Sequence, residues 1–144
     1  MKHLFLTLAL CLATAGNAQA EQPTKRTVTV TSQATDEKTA EIQFENETHN
    51  FGTFSEQDPV VKYTFKFTNT GTAPLIIHQA IASCGCTVPK FTESPIAPGQ
   101  SGTIEVTYNG KGRYLGHFKK VITVRSNAKE HGVVRLYIEG DMTE

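Results

Sequence analysis

The sequence has no tryptophan, only two methionines and three cysteines, and no excess of either charge, with 14 Lys and Arg against 14 Asp and Glu. The aromatic content of any core therefore rests on Phe and Tyr. A neutral chain whose charges are read as interspersed gives no electrostatic case for binding nucleic acid or an anionic membrane. Beyond the amino terminus, no segment approaches the roughly 18 continuous apolar residues of a membrane span, so no integral span is expected in the mature chain. Catalytic signatures are missing as well. There is no Gly-x-Ser-x-Gly elbow, no His-Glu-x-x-His and no Gly-x-x-x-x-Gly-Lys phosphate loop. Ser83 and Ser101 stand outside any nucleophile motif, and Asp58, Glu93, Glu105 and Glu139 are scattered singly rather than paired for acid–base work. A non-enzymatic protein is the expectation, with no cofactor and no resident metal.

The amino terminus reads as an export leader. Met1-Lys2-His3 is a short basic start, Leu4–Ala15 is an apolar run, and Ala18-Gln19-Ala20 is a small-x-small cleavage site. Cleavage after Ala20 places residues 21–144 in the periplasm or outside the cell. The competing reading, lipidation at Cys11, is opposed by Leu10, where a lipobox needs a small residue. Cleavage at Ala20 leaves two cysteines, Cys84 and Cys86, in an oxidising compartment.

Residues 21–40 are rich in Thr, Gln, Ser and Lys and read as a flexible linker. Within them, Thr27–Thr31 alternates well enough for a short edge strand. From residue 41 to 144 the pattern is all-β. In Val60–Asn69, Val61, Tyr63, Phe65 and Phe67 alternate with Lys62, Thr64, Lys66 and Thr68, a period of two that leaves no room for a helix. Leu75–Ala82 reads as a central strand because it begins apolar on both faces. Ile104, Val106 and Tyr108 form another face, and the Asn109-Gly110 that follows is a short-hairpin signal. Further strands are expected around Phe118, Ile122 and Val124, around Val134, Leu136 and Ile138, and around Phe44, Phe51 and Phe54. Gly/Pro/Asn clusters punctuate the whole. The expectation is a single immunoglobulin-like β-sandwich of about seven antiparallel strands.

Ser83-Cys84-Gly85-Cys86-Thr87 is the one segment with chemistry of its own. Residues two apart on an extended chain project to one face, so both sulfurs lie together. Three readings stay open. A Cys84–Cys86 disulfide needs the chain to bend, which Gly85 permits if it takes positive φ. A zinc or copper site needs further ligands, from His78, His117 or His131. A thiol–disulfide exchange site needs a nearby cation, and Lys90 is the nearest downstream.

Taken together, Phe51-Gly52, Phe65-x-Phe67-x-Asn69-x-Gly71, Pro74-Leu75 and Ser83-Cys84-Gly85-Cys86-Thr87, followed by Pro98-Gly99, Gly116-x-Phe118, Ser126-Asn127 and Gly140, resemble the bacterial domain-of-unknown-function family 1573. The resemblance spans about residues 41–141. It implies an immunoglobulin-type sandwich related to hydin and major-sperm-protein modules, carried in bacterial envelopes, and it implies no activity. At the matched positions, Gly71 and Gly99 are expected at positive φ, Phe51, Phe65 and Phe67 in the core, and Asn69 bonded back onto turn backbone. The functional expectation is an exported cell-envelope module that binds a protein or a glycan. The alternative is a thiol–disulfide or copper/zinc-binding protein acting through Cys84 and Cys86.

Overall fold

The computed structural model describes residues 37–144; the leader, Cys11, Thr27–Thr31 and most of the linker segment lie outside the described residues. Eight strands form two four-stranded sheets: β1 (Ile42–Phe44), β2 (Thr48–Ser55), β3 (Val60–Asn69), β4 (Ile77–Ala82), β5 (Thr87–Phe91), β6 (Ser101–Asn109), β7 (Gly116–Ser126) and β8 (Val133–Thr143). One sheet has the order β1-β3-β6-β5 and the other β2-β8-β7-β4. The described residues contain no helix.

The alternation read in β3 holds. Phe65 and Phe67 are fully buried, and they meet Ile104 and Val106 of β6 and Ile122, Leu136 and Ile138 of the facing sheet in one core. The long β3–β6 ladder runs from Val60↔Asn109 to Thr68↔Ser101 and fixes which side chains face inward.

Four details depart from the sequence expectation. First, the strands are not all antiparallel, because β2 runs parallel to β8. The chain between β2 and β3 crosses to the other sheet, so β2 has no hairpin partner and lies beside the last strand instead. Second, Leu75–Ala82 is not central. Leu75 makes an isolated bridge to Ile96, and β4 forms an edge against β7 alone. Third, β5 is an additional strand. Pro89 argues against a strand in sequence, but an edge position tolerates it. Fourth, Asn109-Gly110 makes no hairpin, since β6 and β7 belong to different sheets. There the Gly110 N–H donates to Pro59 O at 2.8 Å, and a Cβ on Gly110 would stand 2.7 Å from Met142 Sδ. Glycine is needed for close packing at that corner.

Asn69 closes the end of β3. Its side chain is wholly buried; Nδ2 donates to Ala73 O at 2.8 Å and to Ile96 O at 2.9 Å, while Oδ1 accepts from Gly71 N at 2.9 Å and from Glu41 N at 3.4 Å. The expected back-bonding onto the turn is therefore present and extends to two further segments. Gly99 has φ 77°, as expected. Gly71 does not have positive φ. It is glycine because a Cβ there would collide with the backbone of Thr39, Ala40 and Glu41. Thr39 O accepts from Thr72 N and Ala73 N, and Ala40 is buried, so the end of the segment read as linker packs onto the sandwich.

Candidate functional site: the Cys-Gly-Cys corner and the adjoining cleft

Because β4 ends in one sheet and β5 begins in the other, the chain must turn a corner between Ala82 and Thr87. Ser83 anchors it, donating its N–H to Val121 O at 2.9 Å and accepting from Val121 N through Oγ at 3.2 Å. The Thr87 N–H donates to Cys84 O at 3.2 Å, closing a four-residue turn. Cys84 and Cys86 stand at disulfide-bonding distance with their Cα atoms 5.3 Å apart, inside the usual range for a bridge. Gly85 does not reach this bend through positive φ; its α-carbon faces open space. Cys86 is buried in the core and Cys84 packs against its edge. The Cys86 carbonyl accepts from the Asn109 N–H at 2.8 Å, tying the corner to the end of β6.

The histidines named as candidate ligands are elsewhere. His78 is exposed on β4, His117 lies 3.4 Å from Asp141 at the start of β7, and His131 lies 3.5 Å from Glu41. Among the described residues, the grouping of side chains with metal-ligand proximity is Glu41, Glu130 and His131, within 4.8 Å of one another, and it includes neither cysteine. There the Glu41 carboxylate already accepts from Glu130 N at 2.8 Å and His131 N at 3.2 Å, which ties the β7–β8 connection to the start of the domain. Ser101 contacts Thr68 Oγ1 at 3.1 Å, and Glu139 is paired with Lys119 at 3.2 Å. Lys90 lies opposite Glu105 in the β5–β6 ladder.

Next to the corner, at the same end of the sandwich, is a cleft of about 330 Å³ lined by Tyr108, Arg113, Tyr114, His117, Phe118, Lys119 and Lys120. The inter-sheet aromatic stack makes its floor. Tyr108 lies flat on Phe118 with ring centroids 4.0 Å apart, and Phe54 meets both edge-on. Burial pushes the Tyr108 phenol above its ordinary pKa, and the Arg113 guanidinium partly offsets that. Lys119 and His117 have acidic partners in Glu139 and Asp141. Arg113 and Lys120 form no ion pair among the described residues.

Overall charge balance hid this cleft from the sequence reading. The charges are not interspersed throughout: no acidic residue lies between Glu105 and Glu130, a stretch holding Lys111, Arg113, Lys119, Lys120, Arg125 and Lys129. A count of charge by segment rather than by chain would have found it. The inward position of Lys120, between Phe118 and Ile122 on an otherwise apolar strand face, was the other signal.

The model of the family described as "Protein of unknown function (DUF1573)" matches residues 42–142. The chain belongs to this family. No curated protein matches the sequence. Among solved structures, a protein of unknown function from Porphyromonas gingivalis is similar with a TM-score of 0.63 at 15% identity, over 72% of this chain and 47% of that one. The ASH/PapD-like domain of human CEP192 gives a TM-score of 0.58 at 11% identity, over 94% and 98%. The YadV chaperone gives 0.52 at 13% identity, over 72% and 53%. This chain thus spans about half the length of the Porphyromonas protein. At these identities the likeness shows the fold, an immunoglobulin-like sandwich, and nothing of activity.

Proposed function

We propose that this family member is a non-catalytic module, exported to the periplasm or beyond through the Met1–Ala20 leader, that binds a partner protein by accepting an extended segment along β4. The observation that carries this reading is the contrast among the four sheet edges. β1 is three residues long, and β5 carries Pro89 and Lys90. β2 is broken by a register shift between Asn50 and Thr53, where Asn50 Oδ1 takes up the Gly52 N–H at 2.7 Å. Each is a known way of blunting an edge.

β4 has neither proline nor an acidic, Lys or Arg side chain in Ile77–Ala82, and Ile81 within it and Ile76 just before it are exposed. Its register shifts between Ile77 and Gln79, and from Gln79 onward the ladder is regular. Since the Ser83 N–H donates to Val121 O, the alternation of an antiparallel ladder turns Ile81 and Gln79 toward β7 and leaves the backbone groups of Ala80 and Ala82 facing outward. An added strand would take its main-chain hydrogen bonds there and set apolar side chains against Ile81.

A photo-crosslinking residue placed at Gln79 in living cells should give a discrete protein adduct that the same residue at Thr64, on the other sheet, does not. Ile81→Lys and, separately, Ala80→Pro should each abolish it. An adduct that survives both substitutions, or that appears equally from Thr64, overturns the proposal. The thiol or copper/zinc reading is second. Its two sulfurs are together, but no histidine or carboxylate is grouped with them among the described residues.

A further inference from the structure

The cleft between β7 and the loop linking it to β6 is separate from the β4 edge, and nothing in the preceding reading uses it. Three of its features point to a ligand. The first is charge. Lys119 and His117 are matched by Glu139 and Asp141, which leaves Arg113 and Lys120 as two cations without a carboxylate, in a stretch that contains no acidic residue. A guanidinium and an ammonium facing one concave space raise the local concentration of anions, and the planar fork of Arg suits a carboxylate.

The second feature is the floor. Tyr108 is only 2% exposed, yet its hydroxyl makes no hydrogen bond among the described residues, and no buried polar side-chain atom is left unpaired. The hydroxyl is therefore the part of the ring that opens to the cleft, an available donor beside Arg113. The third feature is the rim. Tyr114 is 99% exposed, held out on a loop that turns through Gly112 at φ 70° and enters β7 at Gly116, where φ is 104°. It presents a bare aromatic face at the mouth.

The side chains lining the cleft set the ligand class. β6 is paired on both sides, but β7 pairs with β4 only from Ile122 to Ser126, so the main chain of its Gly116–Lys120 portion is free on that side among the described residues. That short stretch would suit an acidic peptide, the occupant that the tripeptide comparison below sets against a sugar. Cations, a phenol hydroxyl and an aromatic face suit a hydroxylated ring bearing a negative charge. The volume of about 330 Å³ is at the small end for ligand pockets.

We propose that this cleft binds a carboxylate-bearing saccharide. Arg113 and Lys120 hold the carboxylate, the Tyr108 hydroxyl bonds the ring from below, and Tyr114 covers its apolar face. Titration calorimetry of the purified protein with trimers of galacturonate, glucuronate and mannuronate tests it, with maltotriose, a Glu-rich tripeptide and inorganic phosphate as comparisons. At least one uronate trimer should bind about tenfold or more tightly than every comparison probe. Arg113→Gln with Lys120→Gln should weaken that trimer about tenfold or more, and Tyr114→Ala about threefold. Both variants should keep the thermal midpoint of the parent, because neither cation has an intramolecular partner to lose and Tyr114 packs on nothing.

No binding by any uronate, or binding indifferent to these substitutions, overturns the proposal. Equal affinity for the acidic tripeptide or for phosphate also overturns it, by reducing the site to a charged patch. None of these outcomes touches the β4 reading, which is tested with different variants and a different readout.

Discussion

The two ends of the sandwich handle their polar groups in opposite ways. At the end where β3 finishes and β6 begins, a buried Asn69 joins four backbone groups from the domain start, the turn after β3 and the Ile96 segment. Asn127 repeats the device nearby, accepting from Ile76 N at 2.8 Å and donating to Pro74 O at 3.0 Å. At the far end, where β6 finishes and β7 begins, two cations and a phenol hydroxyl have no partner among the described residues. One end spends its polar groups on holding segments together, and the other keeps them available to something outside. Under the proposed binding, stability and recognition are separated along the length of the strands.

That contrast is broken most directly at Asn69. Asn69→Ala leaves several buried amide and carbonyl groups unpaired, and it should lower stability by about 3 kcal/mol and the melting temperature on the order of 15 °C. Urea or thermal unfolding followed by circular dichroism checks this. A loss comparable to that of a surface substitution would mean that water replaces the Asn69 amide without penalty, and the two ends would no longer differ in kind.

The Cys-Gly-Cys corner belongs to the open end and should matter less. A bridge closing so small a loop contributes about 1.5 kcal/mol, and that is the expected loss when Cys84 and Cys86 are both replaced with alanine. The useful measurement is hydrogen exchange at Asn109, whose N–H is held by Cys86 O. Its protection should fall while that of Asn69 does not. Equal loosening at both ends would show that the corner braces the whole sandwich.

The smallest expected effect lies between the ends. His49 on β2 stacks on Tyr63 of β3 at 3.6 Å and meets Phe51 edge-on, and burial holds its pKa below the ordinary 6.5. The unfolded chain therefore binds a proton more readily than the folded one. The His49 contribution is complete above pH 6.5 and is lost as pH falls below that value, levelling off once the folded-state pKa is passed. His49→Phe should remove this step from a plot of stability against pH. A step of unchanged size would assign it to another group.

The architecture was legible because its signal is periodic. Val61 to Phe67, Ile104 to Tyr108 and Val134 to Ile138 repeat every second residue, and no helix competes for such a pattern. Pairing was less legible. The parallel β2–β8 ladder joins residues near opposite ends of the domain, and no local spacing encodes it. β5 was hidden by Pro89, a residue that weighs against strands in general but not against edges. Asn109-Gly110 misled for the opposite reason. That dipeptide favours a tight turn, but at Gly110 the requirement is room for Met142, a contact from the last strand. The Cys pair was visible as a pair, and its bend could not be assigned to Gly85 torsion from sequence alone. The cleft went unread because Tyr108, Arg113 and Lys120 come from a strand end, a loop and a strand face, which only the fold brings together.

The position of β8 sets when the sandwich can close. It lies between β2 and β7, so the half of the sandwich containing β2 is not complete until the final eleven residues of strand are present. A chain emerging amino end first can form β3 and β6 early, but β2 has to wait until β8 has emerged. A product cut short before Val133 would keep an apolar face with nothing to cover it, giving proteases and chaperones a way to tell an unfinished copy from a finished one.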